Sequence, residues 1–225
     1  TVQIVTGTWK KEVFESLKSV TIESVLEVEG LLKESKQVPE GFEIDADKIT
    51  ILSLSAAELP IPVAIEKGSG DVDITNRFDW RWLDLRLNDK HKIFKVWTAL
   101  ESGMRKYFLS NGFTQLYSPN MMSTASEGGA EFFEVKYFDR KAFLAQSPQF
   151  YKQMAMASGM EKIFMVGPVF RAEESFTTRH MTEFTGWDVE ISYIDSHHDV
   201  MDMEEALLVA AFTEVSGMSA QMDVF

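Results

Sequence analysis

A chain of 225 residues with 45% hydrophobic and 12% aromatic side chains is long enough to bury a core in one domain plus a smaller piece, and this composition excludes a disordered polymer. A formal net charge of −13 excludes nucleic-acid binding through bulk electrostatics, so any RNA contact has to be local. The absence of cysteine removes disulfides and thiolate metal sites, and with no ~18-residue apolar run and no signal peptide the expected location is cytoplasmic, without a membrane partner.

In chain order, residues 3–5 predict a brief strand and 9–18 a helix with Val13, Phe14 and Leu17 on one face. Two strand-like runs follow. In 24–32, Leu26, Val28 and Leu32 alternate with Glu27 and Glu29, and 48–53 is a second run after the turn-rich QVPEGFEIDAD. By residues alone this piece is an acidic, β-rich cap. Pro60-Ile61-Pro62 and Lys67-Gly68-Ser69-Gly70-Asp71 break both periodicities and place a linker near 60–75. The run NRFDWRWLDLRLND (76–89) sets arginines among aromatic and leucine residues, a pattern favouring a packed hinge over a patch for RNA backbone.

Asn88 or Asp89 caps a helix that runs to Ser110, with Ile93, Trp97, Leu100, Met104 and Phe108 recurring at three and four and Asn111-Gly112 ending it. FTQLYSPN then gives a strand ending at Pro119, and STASEGGA (123–130) a small, glycine-rich loop whose only charge is Glu127. AFLAQSPQFYKQMAMASG (142–159) turns from strand to helix at Ser147-Pro148, taken as N-cap and first helical residue. Gln149 and Lys152 are one turn apart near the positive end of that helix, where an anion is favoured; a surface Gln-Lys pair is the alternative.

Residues 163–170 predict a strand buried on both faces that delivers Arg171 and Glu173, and a loop carrying Arg179 and His180 leads into a second strand. There Trp187, Val189, Ile191 and Tyr193 share one parity, and Phe184, Gly186, Asp188 and Glu190 the other. An aromatic ring, a gap and two carboxylates on one face, opposite an arginine, suit a ligand with a flat ring, a phosphate and an amine. His197, His198, Asp199 and Asp202 do not make a metal site, because adjacent histidines diverge on a helix, and DVMDMEEALLVAAF is an amphipathic helix with an acidic start.

The segment FRAEESFTTRHMTEFTGWDVE (170–190) resembles motif 2 of class II aminoacyl-tRNA synthetases, in the form found in aspartyl-tRNA synthetases of archaeal and eukaryotic type, subclass b. The resemblance implies an α+β fold: a class II synthetase-like antiparallel sheet flanked by helices, preceded by part of an OB-fold β-barrel. It assigns 1–62 to the C-terminal part of an OB-fold anticodon-binding domain, 63–88 to a linker or hinge, and 89–225 to the N-terminal part of the catalytic domain. The helix and strand ending at Pro119 resemble motif 1, which implies a homodimer interface. STASEGGA is similar to the flipping loop, with Glu127 on the substrate ammonium.

QSPQFYK matches the family's aspartate-recognition segment, which implies aspartate binding by Gln149 and Lys152, the latter on the β-carboxylate; asparaginyl enzymes depart from it at the proline. Carried over by position, Arg171 is catalytic and binds the ATP α-phosphate and the amino-acid carboxylate. Glu173 and Met181 border the adenine, Arg179 and His180 face the distal phosphates, Phe184 stacks on the ring, and Asp188 holds the ammonium. The implied reaction joins L-aspartate to ATP, with Mg2+, and passes the aspartyl group to tRNA(Asp). Motif 3 and the magnesium ligands are expected beyond Phe225, so this piece alone is expected to be inactive. Alternatives are an asparaginyl-tRNA synthetase, a tRNA-independent asparagine synthetase of the same fold, and an inactive paralogue or truncated binding protein.

Overall fold

The computed structural model describes residues 2–39, 41–63, 72–124, 131–174, 177 and 179–222, without the side chains of 88, 89 and 219–222. The chain forms two compact units, 1–90 and 91–225.

In the first unit β1 (Gln3–Val5), α1 (Lys11–Leu17), β2 (Val25–Glu34) and β3 (Phe42–Ser53) build an open three-stranded sheet in the order β1-β3-β2. β1 runs parallel to β3, and β2 antiparallel. Among the described residues no barrel is closed. β3 is longer than its sequence suggests: Phe42 to Asp47, taken as turn, belong to the strand, and Phe42 to Ala46 pair with β1 or β2 because the ladder supplies partners that local propensity does not register. The alternation in β2 holds at Leu26 and Val28, then fails beyond the bulge at Glu29/Gly30, leaving Leu31 and Leu32 more than 60% exposed. Gly30 is required there, since a Cβ would stand 2.3 Å from the Asp45 carbonyl oxygen. On α1, Val13 is buried while Phe14 stays partly open. Lys10 joins the helix start to β3, donating to Asp45 Oδ1 and Asp47 Oδ1, each at 2.7 Å. Those bonds raise the Lys10 pKa, and bonds from Lys10 and then Lys33 lower that of Asp45.

The segment read as linker and hinge contains two short helices, α2 (Ile74–Asp79) and α3 (Arg81–Asp84), the first capped by Asp73, whose carboxylate accepts from the Thr75 and Asn76 amides. Asp84 is 2% exposed and accepts from Arg77 Nε at 3.0 Å and Arg81 Nη1 at 2.7 Å. The Arg77 hydrogen bond chiefly holds its carboxyl below the ordinary carboxylate range. Arg86 pairs with Glu23. All three arginines therefore have carboxylates within the unit, a packed arrangement rather than a free cationic patch.

In the second unit α4 (Asn88–Ser110) leads through β4 (Thr114–Leu116), β5 (Met121–Met122), β6 (Glu134–Tyr137) and β7 (Arg140–Leu144) to α5 (Gln149–Ala157), β8 (Lys162–Phe170), β9 (Glu183–Ile191) and α6 (His197–Met222). Two three-stranded sheets form, β4-β8-β9 and β5-β7-β6. β8 and β9 are antiparallel, while β4 joins β8 in parallel. Trp187, Val189 and Ile191 turn to the core as their parity requires, packing with Phe108, Phe113, Phe164 and Leu207. Phe108, Phe164 and Trp187 form a near-parallel stack, the first pair 4.6 Å apart and the second 6.1 Å. Tyr193, placed with this set by its parity, lies past the strand end at φ 58 and is 89% exposed.

α4 buries Ala99 and Phe108 but leaves Ile93 and Trp97 about half exposed, so the predicted apolar face is covered only in its C-terminal part. It crosses α6 closely at Gly103, where a Cβ would meet the Ala210 carbonyl oxygen and Ala211 Cα at 2.8 Å. α6 begins two residues earlier than its acidic run suggests. Asp199 accepts from the Asp195 and Ser196 amides while Ser196 Oγ accepts from the His198 amide, a reciprocal cap.

Candidate active site

Antiparallel register puts Met165 opposite Asp188, Gly167 opposite Gly186 and Val169 opposite Phe184. Register partners share a face, so Asp188, Gly186 and Phe184 line the side of the sheet away from the aromatic stack. α5 packs on this same side, its Ala155 against Ile163 and Met165. That packing brings Lys152, 7% exposed, to 2.9 Å from Asp188 Oδ1 and 3.6 Å from Glu190 Oε2. A lysine is seldom this buried unless its charge is paired, and here it has two carboxylates.

In front of Asp188 lies a cleft of about 140 Å³ walled by Asn120, Ser147, Val169 and the facing Gly167 and Gly186. The two glycines leave a backbone floor. A Cβ on Gly186 would stand 3.0 Å from Val169 Cγ2 and 3.3 Å from Asp188 Oδ2, so glycine keeps the space around the carboxylate open. Just past β8, the Arg171 amide donates to the Thr182 carbonyl at 2.9 Å, and its guanidinium sits 5.4 Å from the centre of the Phe184 ring. Phe184 precedes Asp188 by four strand residues, roughly 13 Å. One sheet face thus carries an anion and buried cation at one end, and an arginine and aromatic ring at the other.

Gln149 opens α5 and is half-buried, its amide donating to Ser147 Oγ at 3.3 Å; Pro148 occupies the N-cap position, one residue before its predicted place, its φ of −85° and ψ of 21° falling outside the helical range. Glu173, Arg179, His180 and Met181 are exposed. His180 Nδ1 and Thr177 Oγ1 share a 2.6 Å hydrogen bond. Pro119 is exposed, on the wall of a separate hollow of about 460 Å³ that includes Tyr137 and Arg140. Glu127 lies outside the described residues. A hollow of about 720 Å³ along α6 is larger than the cleft but gathers no cation, so its size does not mark chemistry. Among the described residues, no three His, Asp or Glu side chains are grouped to hold a metal.

Asn120 and Gly167 carried no sequence signal, whereas Glu190 did: its parity put it on the polar face, and only the packing of α5 shows that it meets Lys152.

The sequence profile described as "tRNA synthetases class II (D, K and N)" matches residues 73–224. The chain belongs to the class II tRNA synthetases. It is 42% identical over 205 residues to the aspartate–tRNA(Asp/Asn) ligase of Methanopyrus kandleri, covering 91% of this chain and 47% of that protein. With the aspartate–tRNA(Asp) ligase of Picrophilus torridus identity is 44% over 192 residues, 85% of this chain and 44% of that one. It superposes with a TM-score of 0.86 and 32% identity on asparaginyl-tRNA synthetase from Pyrococcus horikoshii complexed with asparaginyl-adenylate, covering 98% of this chain and 50% of the other. With aspartyl-tRNA synthetase from Entamoeba histolytica the TM-score is 0.73 at 28% identity, over 90% and 43%. The chain spans about half the length of the curated relatives it matches. Among the described residues no helix is long and apolar enough to cross a membrane.

Proposed function

We propose that the protein carrying this chain is an aspartate–tRNA ligase, which activates L-aspartate with ATP and transfers the aspartyl group to tRNA(Asp). The observation that carries the reading is the buried Lys152 held against Asp188, at the end of a sheet face whose other end presents Arg171 over Phe184. An amino acid with a side-chain carboxylate fits this pairing by exchange of partners: Asp188 turns to the ligand's ammonium, and Lys152 to its β-carboxylate. Gln149 and Glu127 complete the amino-acid end. Phe184 receives the adenine, bordered by Glu173 and Met181, while Arg179 and His180 face the outer phosphates.

The chemistry needs no side-chain nucleophile. An α-carboxylate oxygen of aspartate attacks the α-phosphorus of ATP in line, the bond from that phosphorus to the bridging oxygen breaks, and pyrophosphate leaves. Arg171 binds the α-phosphate and the attacking carboxylate, offsetting the repulsion between two anions and the charge that develops on phosphorus. The terminal ribose hydroxyl of tRNA then attacks the activated carbonyl and AMP departs. Mg2+ accompanies ATP in this family, and the described residues offer it no ligand cluster.

In this reading 1–62 is the C-terminal part of an OB-fold anticodon-binding domain, 63–88 a hinge and 89–225 the first part of the catalytic domain. α4 and the strand ending at Pro119 form a homodimer interface, and the protein works in the cytoplasm. A second reading, asparagine as substrate, is favoured by the likeness to the asparaginyl enzyme of P. horikoshii. Pyrophosphate exchange by the full-length protein separates the two. Aspartate-dependent exchange at least about a hundredfold above asparagine is expected from a site built to meet a charge; preference for asparagine would overturn the proposal.

A further inference from the structure

We infer that Glu190 is a positioning residue that fixes the donor geometry of Lys152 and so sets the preference for a carboxylate over an amide in the amino-acid side chain. The inference rests on the reading of this site as an aspartate site. An ammonium group has three donors and no acceptor. Lys152 reaches the sheet from α5 on a buried stem, and its head lies between two carboxylates carried by alternate residues of β9, Asp188 at 2.9 Å and Glu190 at 3.6 Å. The hydrogen bond to Asp188 takes one donor direction and Glu190 adds an ion pair on a second side, which leaves donor capacity on Lys152 for a ligand.

With Asp188 alone the ammonium could turn about a single hydrogen bond. Glu190 draws it to one side through the ion pair at 3.6 Å, and its own backbone is fixed because it pairs in register with the fully buried Ile163. When Asp188 turns to a ligand's ammonium, Glu190 is the protein anion that stays on Lys152 and keeps the cation from following Asp188. Of the three charged groups Asp188 lines the cleft, Lys152 lies against it, and Glu190 stands two residues farther along β9 behind Lys152, so Glu190 acts through Lys152 rather than by touching the ligand. Its charge also opposes that of Lys152. A purely electrostatic role would therefore make its removal improve aspartate binding, and the positioning role makes removal worsen it.

The test uses Glu190→Gln in the full-length protein, with pyrophosphate exchange as readout. The KM for aspartate is expected to rise about tenfold, the loss of the ion pair that orients the ammonium, while the KM for ATP stays unchanged and the preference for aspartate over asparagine falls in step. In a Lys152→Ala background the same substitution is expected to change the aspartate KM by less than about twofold, because the group it positions is gone. Should the glutamine variant melt at a lower temperature, Glu190→Asp, which keeps the charge and shortens the reach, is expected to give the same aspartate-selective rise. An unchanged or lowered aspartate KM, an equal rise for ATP, or a full tenfold effect without Lys152 overturns the inference. A wild-type protein lacking aspartate-dependent exchange takes the functional reading down with it; an active wild type with an unaffected Glu190→Gln variant refutes this inference alone.

Discussion

Lys152→Met keeps most of the buried stem and deletes only the charge that the site is organised around. In the protein without substrate it leaves Asp188 and Glu190 facing each other across the vacated position. Breaking a buried ion pair costs about 3–5 kcal/mol. The Asp188 and Glu190 side chains are 24% and 28% exposed, so water recovers part of this and the stability loss should be about 1–3 kcal/mol. With aspartate the lost interaction is charged on both sides and shielded from solvent, worth about 2–5 kcal/mol in kcat/KM. At 1.4 kcal/mol per decade that is a fall of roughly thirtyfold to a few thousandfold. ATP should be almost untouched, because Arg171 and Phe184 lie at the other end of the face. Pyrophosphate exchange with each substrate varied in turn checks this in the full-length protein. If the KM for ATP rises as much as that for aspartate, Lys152 is not the aspartate-reading group.

Gly103→Ala should cost about 1–3 kcal/mol in urea unfolding, since its Cβ would press on α6 backbone at 2.8 Å and the two helices would have to separate. Gly186→Ala should raise the aspartate KM with little change in melting temperature, because the methyl group meets a movable Val169 side chain but crowds Asp188 Oδ2 at 3.3 Å. Asp84→Asn should destabilise the first unit by about 2–4 kcal/mol at pH 7. Because Arg77 lowers the Asp84 pKa from its ordinary 3.8, the stabilisation is complete above about that pH and disappears as the pH falls through the folded-state value. The stability gap between wild type and Asp84→Asn should accordingly close on acidification; a gap that persists or widens in acid would rule out an ionised Asp84 as its source.

The parts legible in the sequence were those set by local periodicity. The parity of Trp187, Val189 and Ile191 gave the buried face of β9, the opposite parity put Phe184 and Asp188 together on the other face, and the long spacing pattern gave α4. What stayed hidden depends on which elements meet. Phe42 to Asp47 read as turn because only β1 and β2 supply the partners that make it a strand. The Gly167–Gly186 floor requires knowing the register of two strands, and the Lys152–Glu190 approach requires knowing on which side of the sheet α5 lies. Tyr193 shows the opposite failure, a periodicity that runs on after the backbone has left the strand at a positive φ.

The most direct test of the site is a crystal structure of the full-length protein with a hydrolysis-resistant aspartyl-adenylate analogue. The analogue is expected along the β8–β9 face, with Lys152 on the β-carboxylate, Asp188 on the ammonium, Arg171 on the phosphate position and the adenine against Phe184. An analogue bound along this face with Lys152 still closed on Asp188 and the β-carboxylate held by other residues, or one bound away from the face altogether, would contradict it.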